Sequence, residues 1–151
     1  MEALYLQLHQ LMDRELAATH RLSIVLEQEQ DAVKRKKIDD MNATLTAKLD
    51  LLEELGGLDQ ERISLLSETA YANTKSGFLQ LIASVDHGTN LAQKWDQLEA
   101  ELKQCHQLHL VNTKLLDIGM RQVRQLLGVI LGEDHSAAAR GSVYTKQGMT
   151  T

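Results

Sequence analysis

Leu4, Leu8, Leu11, Met12, Leu22, Leu26 and Val33 recur at helical spacing, which predicts a first helix near residues 2–36. Polar Glu15 and Thr19 interrupt its stripe. At ~1.5 Å per residue, such a helix is about 50 Å long. The basic run Lys34-Arg35-Lys36-Lys37 suits a helix end, and Asp39-Asp40 suits the start of the next helix. A tight antiparallel return is therefore expected at about 36–39. The second helix carries Ile38, Met41, Leu45, Leu49, Leu52, Ile63 and Leu66 as its main row, flanked by Leu51, Leu55, Leu58 and Leu65. Gly56-Gly57 falls in its middle, where each glycine costs about 1 kcal/mol. The phase runs straight through the pair: Leu52, Asp59 and Leu66 are seven apart, as are Leu51, Leu58 and Leu65. A turn would reset that register. One helix over 38–69 is expected, bent at the glycines rather than broken.

Residues 71–90 mix polar side chains with a short apolar run from Phe78 to Val85, and read as a connector holding one or two helical turns. A third long helix, near 91–131, follows the seam Leu91, Trp95, Leu98, Leu102, Cys105, His109, Asn112, Leu116, Gly119, Val123, Leu126 and Ile130. This alternation of four and three is that of a coiled-coil-like packing edge. Its ends are strongly apolar, while Cys105, His109, Asn112 and Gly119 form a polar or small layer at its centre. After Leu131 the periodicity stops. The expected organisation is a helical bundle over 1–131 followed by a flexible tail over 132–151, whose large apolar residues are Val143, Tyr144 and Met149. The fold class is all-α: an elongated antiparallel bundle of three long helices with a short helical connector.

Composition agrees with this. The chain has no proline and only 3% aromatic residues, and its 43% apolar content is dominated by leucine, so strand-rich folds are disfavoured. A net charge of −5 argues against a nucleic-acid binder. The N-terminal segment lacks the basic region and uninterrupted apolar core of a signal peptide. The longest apolar stretch, Leu126 to Leu131, is far short of a membrane span, so no membrane insertion is expected. One cysteine rules out an internal disulfide framework, and the expected compartment is the cytoplasm.

Catalytic chemistry finds little footing. A carboxylate-bridged di-metal bundle needs Glu-x-x-His pairs, yet the residues three before each histidine are Leu6, Ala17, Ser84, Lys103, His106 and Gly132. His106 and His109 form an i, i+3 pair without evident further ligands. Cys105 and His106 are adjacent on a helix and point about 100° apart, which does not make a dyad. Cys105 reads as a buried structural thiol. There is no phosphate-cradling loop, zinc spacing or nucleophile elbow. The chain is not expected to be an enzyme, and no cofactor is implied.

Several motifs resemble those of the FlgN-type flagellar export chaperones. They include Glu29-x-x-Ala32-Val33, Lys48-x-x-Leu51-Leu52 and Glu61-Arg62-x-x-Leu65-Leu66. In the third helix Trp95 is followed seventeen residues later by Asn112, then by Leu115-Leu116, Leu126-Leu127 and Leu131-Gly132. The family often writes N-x-x-N-G in mid-helix, where this chain has His109-x-x-Asn112-Thr113. In the tail, Val143-Tyr144-Thr145-Lys146-Gln147-Gly148 resembles an aliphatic-Tyr-Gly-x-x-Gly pattern, with Thr145 in place of glycine.

The resemblance implies a small cytoplasmic chaperone for the hook–filament junction proteins FlgK and FlgL. It would bind their helical C-terminal segments and bring them to the export gate, FlhA. The helix-three residues assigned to cargo are Asn112, Leu115, Leu116, Ile118, Val123, Leu126, Leu127 and Ile130, a set able to receive an amphipathic helix. By resemblance Tyr144 contacts the gate, as a compact aromatic anchor. The same apolar stripe is expected to self-associate when cargo is absent. Two other readings stay open on the residues alone: a structural coiled-coil protein acting through homo-oligomerisation, and a histidine-based metalloprotein.

Overall fold

The computed structural model describes residues 2–86 and 89–132, and among these there is no strand. The helices are α1 (Glu2–Arg35), α2 (Ile38–Ser67), α3 (Lys75–Val85) and α4 (Asn90–Leu131). The chain divides into two units, Met1–His109 and Leu110–Thr151, with the division inside α4. The tail expected at 132–151, Tyr144 included, lies outside the described residues beyond Gly132.

In the first unit α1 and α2 run antiparallel, as their ion pairs show. Arg14 makes a two-pronged pair with Glu61 at 2.8 Å, Arg21 meets Glu54 at 2.5 Å, and Lys48 meets Glu29 at 2.7 Å. Position in α2 falls as position in α1 rises. The Arg14 and Arg21 pairs are half-exposed and contribute at most ~1 kcal/mol each, so they set register more than stability. The return is made by two residues. Lys36 takes a left-handed backbone (φ 58), and the Lys36 and Lys37 amides donate to the carbonyls of Val33 and Ala32. That closes the end of α1 much as a glycine C-cap does. Lys34 and Arg35 complement the carbonyl end of α1, and Asp39 and Asp40 the amide end of α2.

Helix α2 is continuous through Gly56-Gly57, as its phase predicts. Its rows, however, exchange roles. Leu51 and Leu58 are buried, and Leu55 and Leu65 pack against core clusters, whereas Ile38, Leu45, Leu49 and Leu52 are exposed. Of the expected main row only Leu66 is fully buried. The cause is that α2 meets α1 through its heptad-spaced Leu51–Leu58 edge, which turns Leu45, Leu49 and Leu52 toward solvent.

The connector is also more structured than expected. α3 has eleven residues, more than the one or two turns its apolar run suggests. Thr74 caps it, its side-chain oxygen accepting from the Gly77 amide at 3.0 Å. Phe78, Leu81, Ile82 and Val85 form a buried stripe that joins Leu8 and Met12 of α1, Leu66 of α2 and Leu91 of α4 in the largest core cluster. Asp86 then accepts from the Leu91 and Ala92 amides and orders the start of α4. In α4 the buried residues Leu91, Leu98 and Cys105 lie seven apart, with Leu102 between them 41% exposed.

The two polar residues that interrupt the α1 stripe are inside the fold: Glu15 is 5% exposed and Thr19 fully buried. Glu15 accepts a hydrogen bond from the Arg62 guanidinium. That guanidinium also lies 5.1 Å from the centre of the Phe78 ring and 5.6 Å from that of Trp95. One cation is thereby shared by α1, α2, α3 and α4. Burial pushes the Glu15 carboxyl up from its ordinary value, and Arg62 opposes that rise.

Candidate functional site

The residues that first invite a chemical reading lack the surroundings for it. Cys105 is 4% exposed, and its thiol points at the Thr19 carbonyl oxygen, 3.6 Å away. Burial pushes that thiol up, and the negative charge of Glu101 adds to the effect, the reverse of what an attacking thiolate needs. His106 and His109 are both exposed on α4. Among the described residues no group of three or more His, Cys, Asp or Glu is placed to hold a metal ion.

The second unit presents a different surface. Its described part is the distal portion of α4, from Leu110 to Leu131, ending at Gly132 with a left-handed backbone (φ 67). The leucines, arginines, glutamines and methionine of this stretch are good helix formers and outweigh its β-branched residues. An i, i+4 pair between Arg121 and Asp117, at 3.4 Å, lies on its polar side. Ile118 is 37% exposed, Val123 50%, Leu126 60%, Leu127 46% and Ile130 66%. Leu115 and Leu116 are half-buried, and Asn112 is only 3% exposed.

Of the residues assigned to cargo, Val123, Leu126, Leu127 and Ile130 thus form one accessible group over the last two to three turns. Ile118 stands at its margin. Asn112 is not part of that surface. Leu110, Val111, Val129 and Leu131 are just as open, with exposures of 45–64%. Leu110, Val129 and Leu131 extend the assigned set, and the uninterrupted run Leu126–Leu131 is the sequence signal for two of them. A helix end with apolar side chains on every side is poorly suited to water and invites a partner that covers it. Burying one such side chain contributes roughly 1.5–3 kcal/mol, and several together are needed to offset the entropy lost on association. Among the described residues no helix is long and apolar enough to cross a membrane.

Comparison with known families agrees with the surface. The family model described as FlgN protein matches residues 1–151, the entire chain. This chain belongs to the FlgN family. FlgN proteins are flagellar export chaperones and not an enzyme family, and an exposed apolar helix suits a chaperone. No curated protein and no solved structure matches the chain.

The two α4 residues most prominent in the FlgN resemblance, Trp95 and Asn112, fall in different units. The Trp95 ring packs against Phe78 with centroids 5.2 Å apart. Asn112 continues the seven-residue spacing of Leu91, Leu98 and Cys105 and is as buried as they are.

Proposed function

We propose that this FlgN-family chain holds the hook–filament junction proteins FlgK and FlgL in the cytoplasm before their export. Their C-terminal helical segments lay an apolar stripe along distal α4, against Leu115, Leu116, Ile118, Val123, Leu126, Leu127 and Ile130. Asn112, only 3% exposed, takes no part in that contact. Tyr144 carries the loaded chaperone to the export gate protein FlhA. The observation that supports this reading is the row of open apolar side chains from Ile118 to Leu131 in a chain of this family. No ATP, metal or other cofactor takes part, since holding a helix needs only burial and its release only competition.

Light scattering coupled to size exclusion tests the reading directly. The full chain is expected to form a one-to-one complex with C-terminal peptides of FlgK or FlgL, and any self-association of the free chain is expected to disappear. A stable oligomer indifferent to either peptide points instead to a structural coiled-coil protein. For the gate contact, Tyr144→Ala is expected to keep cargo affinity within about twofold while losing FlhA binding, as removal of a central aromatic anchor does. Equal FlhA capture by mutant and wild type in a pull-down removes Tyr144 from the account.

A further inference from the structure

The turn between α1 and α2 is built from residues that suit a surface better than a fold. Lys36 holds a left-handed backbone (φ 58), a position where glycine or asparagine is least strained. Lys37 is the N-cap of α2 and makes no side-chain cap, where serine, threonine, aspartate or asparagine would satisfy an orphan amide. Its cation also stands at the positive end of the α2 macrodipole. Ile38 begins α2 and is 64% exposed, as open as Leu131. Three consecutive residues thus forgo what local stability favours, which is expected of a functional surface. Lys34, Lys36 and Lys37 are exposed and pair with no carboxylate among the described residues, whereas Arg35 is answered by Asp31 at 3.2 Å. The neighbouring acids are occupied or set back. Glu29 pairs with Lys48, and Asp40 lines a recess between α1 and α2 together with Glu27 and Asp31. Asp39 is left to oppose three lysines. In a chain of net charge −5 the turn is a local reversal of sign. α1 runs 34 residues back from it, about 50 Å, so most acids of α1 and α2 stand beyond a Debye length.

We propose that the α1–α2 turn docks on an anionic phospholipid surface, with Ile38 in the headgroup layer and Lys34, Lys36 and Lys37 against the lipid phosphates. The combination of side chains selects this partner. Lysines alone would serve a nucleic-acid backbone, but such a backbone offers Ile38 nothing, and the turn holds no aromatic to stack on bases. A bilayer surface receives both kinds at once. Lysine stems lie along the apolar boundary while their ammonium groups stay with the phosphates, and an isoleucine enters beside them. Each lysine near such a surface contributes about fivefold to the partition. Three lysines and one isoleucine make a reversible contact, not an anchor. It is separate from the distal α4 surface and does not depend on the cargo.

Co-sedimentation of the full chain with vesicles tests this. At about 50 mM salt, vesicles of roughly 70% phosphatidylcholine and 30% phosphatidylglycerol are expected to take up the chain on the order of 30-fold better than pure phosphatidylcholine. Raising salt to about 500 mM shortens the Debye length to about 4 Å and is expected to remove the difference. The double variant Lys36→Gly, Lys37→Ser supplies the residues that the fold prefers. It is expected to lose about 25-fold in partition while its unfolding temperature rises by about 4 °C, so binding and stability move in opposite directions. Ile38→Ser is expected to weaken partition about tenfold with the helical signal kept. Leu126→Asp with Ile130→Asp is expected to leave the gain from phosphatidylglycerol unchanged. Equal uptake by both vesicles, wild-type partition in either turn variant, a lowered unfolding temperature in the lysine double variant, or loss of the gain in the distal variant each overturns the proposal. So does a chain that ignores vesicles yet binds a duplex oligonucleotide or a polyglutamate peptide through these lysines.

Discussion

Arg62→Ala is expected to destabilise the first unit by about 3–5 kcal/mol, the usual cost of leaving one member of a buried ion pair alone. The variant strands the Glu15 carboxylate among Thr19 and apolar neighbours, and removes the cation that Phe78 and Trp95 face. The loss carries a pH signature. Burial already raises the Glu15 carboxyl, so its contribution to stability is complete below the ordinary carboxylate pKa and declines as pH rises through the raised value. Without Arg62 the rise is larger and more of that contribution is missing at neutral pH. Acidification toward the carboxylate range then protonates Glu15 in the fold and shrinks the deficit. Urea unfolding of both proteins at pH 7 and pH 5 reads this out: the gap is expected to narrow at the lower pH. Replacing the pair together, as Glu15→Leu with Arg62→Met, is expected to recover most of the loss, because apolar substitutes of similar volume often match a buried pair.

Gly77→Ala is the second large effect. Gly77 sits in the first turn of α3, where its amide binds the Thr74 cap. A Cβ there would fall 2.8 Å from the carbonyl carbon and 2.9 Å from the nitrogen of Ala72, and would overlap the carbonyl oxygen. These are backbone atoms and cannot swing aside. Either the cap opens or α3 shifts, and a shift of α3 disturbs Phe78, Leu81 and Ile82 together. A loss of about 2–3 kcal/mol is expected, in the range of other overpacked sites. Gly57→Ala serves as the control with the opposite sign. It lies in a helix interior with nothing within 4 Å of the added methyl, so a gain of about 1 kcal/mol is expected. Thermal unfolding that moves in the same direction for both variants contradicts this account of the two glycines.

The long helices were legible because their apolar residues repeat over many turns and no proline interrupts them. Their ends agree with α1, α2 and α4 to within about two residues. The continuity of α2 through Gly56-Gly57 was legible because register across the pair outweighs the local cost of two glycines. The role of α3 was less legible, since eleven residues carry barely three turns of pattern and its Thr74 cap resembles any loop threonine. The choice of row on α2 was not legible at all. Its two leucine rows have equal periodicity, and only the placement of α1 decides which is covered. Glu15 illustrates the same limit. In sequence it breaks a stripe, and its partner Arg62 is 47 positions away. For distal α4, sequence identified the apolar character but not its exposure, which depends on what stands opposite.

The central claim is that distal α4 is the cargo surface of this FlgN-family chaperone. Its most direct test is isothermal titration of the FlgK C-terminal peptide into the full chain and into a Leu126→Asp, Ile130→Asp variant. Both positions are more than half exposed, so the variant is expected to unfold at the wild-type temperature. Two charges placed in the middle of the contact are expected to weaken the peptide by on the order of 100-fold. Wild-type affinity in the folded variant would contradict the assignment and place the cargo elsewhere on the chain.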